Sequence, residues 1–232
     1  MSTTSKVYVF AGASSAIAQE TASLLQANGH KVIGISTKNE PLSYDGHFKV
    51  DNYSFGSFPA IEEDIAGLVY FPGTINLKPF ARFSPEEFQH DMQVNAMGAA
   101  AFVQAYLGAL KKNKEGSIVF LSSVAASTGL PFHASIAMAK GALEGLTKSL
   151  AAELAPGIRV NAIAPSLVNT PLGSKFLSSP ERMEQMQKRN PMGKVGEARE
   201  VAQSVAFLLE NNSSWITGQV LSVDGGMGAL KI

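Results

Sequence analysis

Apolar positions along the chain alternate between short continuous runs and helical spacing, and each switch marks an element boundary. Val7-Tyr8-Val9-Phe10 is a short run of strand character, closed by a Gly/Ser turn. Residues 16–28 then carry Ile17, Thr21, Leu24 and Leu25 at helical spacing and end at Asn28-Gly29, a stop signal. Val32–Ile35 reads as the second strand and Phe48–Val50 as the third. Leu68–Phe71 is the fourth, closed by Pro72-Gly73. Ser84-Pro85-Glu86-Glu87 predicts a helix start, with a Ser cap, a Pro in the first turn and acids at the positive end of the dipole. That helix is expected to run to Lys112. Ser117–Leu121 is a fifth strand, and a long helix spans residues 134–155 up to Pro156-Gly157. Val160–Ile163 is a sixth strand, followed by a loop with a short helix, a helix near residues 197–210 and a last strand over Gln219–Val223.

Strands that alternate with helices argue for a parallel sheet covered on both faces. Right-handed crossovers then make the fold α/β and doubly wound, a single domain of about seven strands over residues 1–232. One interval departs from the pattern. Only about ten residues, Pro41 and Gly46 among them, separate Ser36 from Phe48, too few for a crossover helix with its loops. A loop is expected there.

Composition narrows the function classes. Lys and Arg number 19, Asp and Glu number 19, so the basic surplus of a nucleic-acid binder is absent. Cysteine is absent too, which excludes disulfides, thiolate metal sites and a Cys nucleophile, and is compatible with a reducing cytoplasm, the expected location. No metal site is expected. Lys6, an apolar run and Ala16-Ile17-Ala18 imitate a secretory leader, but Gly12, Ser14 and Ser15 interrupt the run. Residues 92–110 carry no charge, yet Gln93, Asn95 and Gln104 mark a buried helix and not a membrane span.

The first turn carries candidate chemistry. Backbone N–H groups at a helix start, together with the helix dipole, form an anion site. Ala11-Gly12-Ala13-Ser14-Ser15-Ala16-Ile17-Ala18 sits in that context, with Gly12 for the tight turn and small residues around it. Read alone, the segment is equally an ordinary Ala-rich turn. Other segments carry more weight: Arg159-Val160-Asn161-Ala162-Ile163-Ala164-Pro165-Ser166 with Thr170 after it, Leu146-Thr147-Lys148-Ser149-Leu150-Ala151, and Leu221-Ser222-Val223-Asp224-Gly225-Gly226. With these, the chain resembles the short-chain dehydrogenase/reductase family along essentially its whole length.

The resemblance implies a Rossmann fold and a nicotinamide dinucleotide. By the family's motifs, Gly12 and the N–H groups around Ser14, Ser15 and Ile17 would hold the pyrophosphate, although Ala16 and Ala18 replace two glycines. Asp51 would receive the adenine amino group, and Pro72-Gly73 would admit the ribose. The polar residues the family places before that turn are here Tyr70-Phe71-Pro72. Pro165, Val168 and Thr170 would border the nicotinamide. An acid at the end of the second strand would select NAD. The chain has Ser36-Thr37-Lys38 instead, which favours NADP(H) over NAD.

The family's catalytic set is Asn, Ser, Tyr and Lys. Asn95, Ser123 and Lys140 match three of them, while Ile136 stands where the family has Tyr. An alkyl group neither gives nor takes a proton. If the helix includes His133, then residues 133, 136 and 140 share a face, and His133 would aim at the vacated position as an atypical proton donor. Tyr70 is a second candidate and Ser135 a third, read more plainly as a packed aromatic and a helix-start cap. The resulting expectation is an NADP(H)-dependent oxidoreductase for a small carbonyl or alcohol, with residues 166–196 covering the substrate. The alternative is a catalytically inactive dinucleotide-binding protein, a sensor or a subunit of an assembly. Small residues in 92–110 and 134–155 suit close helix contacts in a homodimer or homotetramer.

Overall fold

The computed structural model describes residues 5–38 and 43–231. Seven parallel strands form one sheet in the order β3-β2-β1-β4-β5-β6-β9. They are β1 (Val7–Ala11), β2 (Lys31–Ser36), β3 (Gly46–Lys49), β4 (Ile65–Tyr70), β5 (Gly116–Leu121), β6 (Ile158–Pro165) and β9 (Val220–Val223). The helices are α1 (Ala16–Ala27), α2 (Pro85–Met92), α3 (Gly98–Leu110), α4 (Ala134–Leu154), α5 (Pro180–Lys188) and α6 (Ala198–Leu209). The strand order reverses between β1 and β4, and in such sheets ligands bind beyond the strand ends at that point.

Alternation along each strand builds two cores. Val9, Leu68, Tyr70, Ile118 and Phe120 face a cluster that includes Phe102, Tyr106 and Leu143 of α3 and α4. Their neighbours Tyr8, Phe10, Val69 and Val119 face Ala18, Leu25, Val205 and Leu209 of α1 and α6. The period of two that places successive side chains on opposite faces therefore feeds both layers.

Two details go beyond the sequence expectations, and a third agrees with them. The segment from Pro85 to Leu110 is not one uninterrupted helix: a π-helical turn, Gln93–Met97, separates α2 from α3. Its cause lies in the sheet. The Tyr70 hydroxyl donates to the Val94 carbonyl at 2.6 Å. A Cβ on Gly98 would lie 2.1 Å from that hydroxyl, so only glycine leaves room for it. A side chain inserted into the helical ladder distorts it in this way, and π turns concentrate at functional sites. Second, a small parallel pair, β7 (Val168–Asn169) with β8 (Gly196–Glu197), braces the segment after β6 against the start of α6. Third, the loop between β2 and β3 is helix-free at residues 37–38 and 43–45, while Pro41 lies outside the described residues. The start of α2 is as expected: Ser84 and Glu87 form a reciprocal capping box.

Candidate active site

A cleft of about 1150 Å³ runs along the carboxyl ends of the strands. Gly12, Ser14, Ser15 and Ile17 line one end, and Ser123, His133, Ile136 and Lys140 line the other. Gly12 has φ +75°, and a Cβ there would lie 2.8 Å from the Pro72 ring. Glycine is thus required twice, by its backbone and by its neighbour. The Ser15 N–H closes the turn on the Gly12 carbonyl at 2.9 Å, so it is committed within the loop. The Ser15 side chain makes no capping bond, and no acid stands in the first turn of α1. The helix start therefore faces the cleft with its positive end uncompensated.

Thr37, Lys38 and Asp51 border the same end of the cleft. Ser36 does not. It is fully buried, its hydroxyl donates to the Lys38 carbonyl at 2.9 Å, and it lies 3.0 Å from the His47 ring. Ser36, expected at the cofactor, therefore lies behind the cleft lining, with its hydroxyl spent on the Lys38 carbonyl beside the His47 ring. Pro72 and Gly73 form the floor between the two ends, and Pro165, Val168 and Thr170 line the wall beyond Lys140.

Lys140 is the chemical centre of the deeper end. It is 5% exposed, and its ammonium donates to the Leu121 carbonyl at 2.6 Å. Burial pulls its pKa down from 10.5 to about 7. Ile136, one turn earlier on α4, is 4% exposed and covers the same wall with hydrocarbon. Ser123, two residues beyond β5, caps a short 3-10 turn over Val124–Ala126: its hydroxyl accepts from the Ala125 N–H at 3.2 Å.

His133 is not inside the helix but is its N-cap residue, with φ −100° and ψ 11°. Its ring still lines the cleft. Nδ1 donates to the Pro131 carbonyl at 2.7 Å, which fixes that tautomer and leaves Nε2 for other partners. The preceding Phe132 has φ 69°, a left-handed conformation rare for a bulky residue, held partly by the Lys78 N–H on its carbonyl at 3.2 Å. Tyr70 points away into the core, fully buried, with burial raising its pKa. Ser135 is fully buried and is not a cap: it donates to Asp91 at 2.6 Å.

Asn95 does not line the cleft itself. It sits in the π turn behind the floor, and its amide donates to the Thr74 hydroxyl and to the Asp91 carbonyl, each at 2.8 Å. Asp91 and Thr74 escaped the sequence reading. The available signal was an acid four positions before Asn95 on one helix face.

A family model described as Enoyl-(Acyl carrier protein) reductase matches residues 58–228. A short chain dehydrogenase family protein from Francisella tularensis superposes with a TM-score of 0.89 at 26% identity, covering 98% of this chain and all of that one. The chain belongs to the short-chain dehydrogenase/reductase family. Within it, a tropinone reductase homologue of Arabidopsis thaliana is 43% identical over 161 residues, 69% of this chain and 62% of the relative. A peroxisomal 2,4-dienoyl-CoA reductase of Saccharomyces cerevisiae is 37% identical over 149 residues, 64% of this chain and 51% of the relative. The matches thus span between half and three-fifths of these relatives' own length. A gluconate 5-dehydrogenase from Burkholderia cenocepacia, solved with NADP and tartrate, has a TM-score of 0.90 at 25% identity over 97% of this chain and 96% of its own.

Proposed function

We propose that the protein is an NADP(H)-dependent oxidoreductase acting on a small carbonyl or alcohol, with a proton donor other than tyrosine. The observation that carries this reading is the single cleft joining the Gly12 turn to Ser123 and Lys140. The residues present fit a dinucleotide. The turn at Gly12 borders the cleft with no side chain of its own, and the open start of α1 attracts an anion. In this reading Gly12, Ser14 and Ile17 hold the pyrophosphate, Thr37 and Lys38 hold the 2′-phosphate, and Asp51 takes the adenine. Gly73 and Lys140 receive the ribose, while Pro165, Val168 and Thr170 bound the nicotinamide. The cofactor, when bound, supplies or accepts the hydride.

The chain's own residues handle the proton. Ser123 donates a hydrogen bond to the substrate oxygen. His133, its Nδ1–H held by the Pro131 carbonyl, acts as the imidazolium: it gives its Nε2 proton to the developing alkoxide and is left as the neutral Nδ1–H tautomer. Residues 166–196 contribute Leu172, Phe176 and Met186 to the cleft wall, which supports their role over the substrate. Exposed Gly141, Ala142 and Gly145 on α4 support a homodimer or homotetramer built through that helix.

Titration with NADPH and NADH, read by nucleotide fluorescence, tests the cofactor assignment: NADPH binds more tightly, and no binding to either refutes it. A carbonyl screen follows. His133→Gln lowers turnover about 10²–10⁴-fold without weakening NADPH binding, and unchanged turnover removes His133 from the mechanism. One observation favours the inactive alternative: Ile136 fills the position of the family's acid and is sealed from solvent. Turnover that appears only in Ile136→Tyr decides for that alternative.

A further inference from the structure

We infer that Asp91 is a positioning residue that holds the cofactor-facing Pro72-Gly73 turn in place from behind, joining it to the start of α4. The inference rests on the dinucleotide reading above.

Among the described residues the turn's polar support before Thr74 is one backbone bond, from the Phe71 N–H to the Ala11 carbonyl at 3.1 Å. Tyr70 sends its hydroxyl to Val94, Phe71 packs against the Phe10 ring with centroids 5.2 Å apart, and Pro72 has no N–H and rests on Gly12. Thr74 is the first residue after Gly73 with a polar side chain, and α2 with its π turn engages it repeatedly. Its hydroxyl donates to Asp91 Oδ1 at 2.6 Å and accepts from Asn95 at 2.8 Å. Its N–H donates to Asn95 Oδ1 at 3.4 Å.

The second Asp91 oxygen accepts from Ser135 at 2.6 Å, in the first turn of α4 beside Ile136. One carboxyl group therefore bridges the floor of the cleft and the helix that carries Lys140. The neighbourhood is tight: a Cβ on Gly73 would lie 3.2 Å from Asn95 Oδ1 and 3.4 Å from the Lys140 ammonium. A displacement of Thr74 is thus felt where a ribose would lie.

Asp91 is 1% exposed, and among the described residues it forms no ion pair. A buried carboxyl group is costly unless its hydrogen bonds are satisfied. Here two hydroxyls satisfy it, and Thr74 can do so only with the turn in its present position. An amide at residue 91 keeps the shape but cannot accept from both hydroxyls while donating only to groups that have room to accept.

The test compares NADPH dissociation constants and melting temperatures of the wild-type protein, Asp91→Asn, Thr74→Val and the double variant. Asp91→Asn is expected to weaken NADPH about tenfold, the usual scale for a lost buried charge-assisted hydrogen bond. Thr74→Val is expected to match it, and the double variant to add little to either. An Asp91→Asn protein that melts earlier but binds NADPH as the wild type does overturns the inference. Should Asp91→Asn fail to fold, Thr74→Val decides, since it removes the hydroxyl that Asp91 and Asn95 share, and Ser135→Ala, which leaves Asn95 untouched, tests the other arm of the carboxyl group. A wild-type protein that binds neither nucleotide overturns the dinucleotide reading, and this inference with it. Unchanged affinity in the variants of a binding wild type overturns this inference alone.

Discussion

Replacing Lys140 with methionine should stabilise the fold near neutral pH, and the gain should disappear as pH rises. The ammonium is fully buried, and burial lowers its pKa from 10.5 to about 7. A tenfold change in acidity corresponds to about 1.4 kcal/mol, so holding the charged form inside costs roughly 4–5 kcal/mol. The hydrogen bond to the Leu121 carbonyl, at 2.6 Å, is lost in the variant. That loss offsets about 1.5–3 kcal/mol, leaving Lys140→Met more stable by about 1–3 kcal/mol below neutrality. Below about pH 7 both folded and unfolded chains carry the charge, so the full cost applies. Between pH 7 and 10.5 the unfolded chain binds a proton that the folded chain lacks, so wild-type stability rises with pH. Above 10.5 both forms are neutral and the cost is gone. Urea unfolding of both proteins from about pH 6 to pH 10, extrapolated to water, gives the difference directly, and groups common to both cancel. A difference that stays constant over that range would show that the ammonium is not desolvated, and the argument would fail.

Gly98→Ala should cost about 1–3 kcal/mol by overpacking, because its Cβ would meet the Tyr70 hydroxyl at 2.1 Å. Adding Tyr70→Phe should recover part of that loss in thermal melts, and a purely additive double variant would exclude the contact as the cause. Gly12→Ala should lose measurable NADPH binding and about 2–4 kcal/mol of stability, from a left-handed backbone and a crowded neighbour together. Retained affinity would show that the turn does not hold the nucleotide. Lys38→Glu should weaken NADPH at least about tenfold and leave NADH unchanged, as a charge beside a phosphate requires, and equal effects on both nucleotides would remove Lys38 from cofactor selection.

The parts of the molecule that were legible in the sequence are those set by local chemistry. The Ser84 capping box, the strand runs and the turn at Gly12 each depend on residues a few positions apart. What escaped depends on distant partners. The π turn arises because Tyr70 reaches Val94, 24 positions away, and no periodicity within the helix announces it. Asp91 takes its meaning from Thr74 and Ser135, 17 and 44 positions away. The β7–β8 pair is only two residues long on each side, too short to leave a pattern. His133 lines the cleft as the residue before the helix and not as part of it, because its backbone leaves the helical region at the cap. The sequence shows which strand end Ser36 occupies but not that its side chain is buried.

The contact between Gly12 and Pro72 has a consequence for inheritance and for engineering. The ring of Pro72 occupies the place where any side chain at position 12 would begin. The two residues stand on separate loops, after β1 and after β4, and no hydrogen bond joins them: the Gly12 N–H is spent on the Ile35 carbonyl, and Pro72 has no N–H. Their fit is one of shape alone. A lineage that drifted at position 12 would first have to shed the proline, and one that shed the proline would leave a gap beside the glycine. Shedding the proline would not by itself free position 12, because its φ of +75° still calls for glycine. Transplanting the first loop into a related scaffold should succeed only when the second loop travels with it, and libraries that randomise either position alone should return mostly the starting residue.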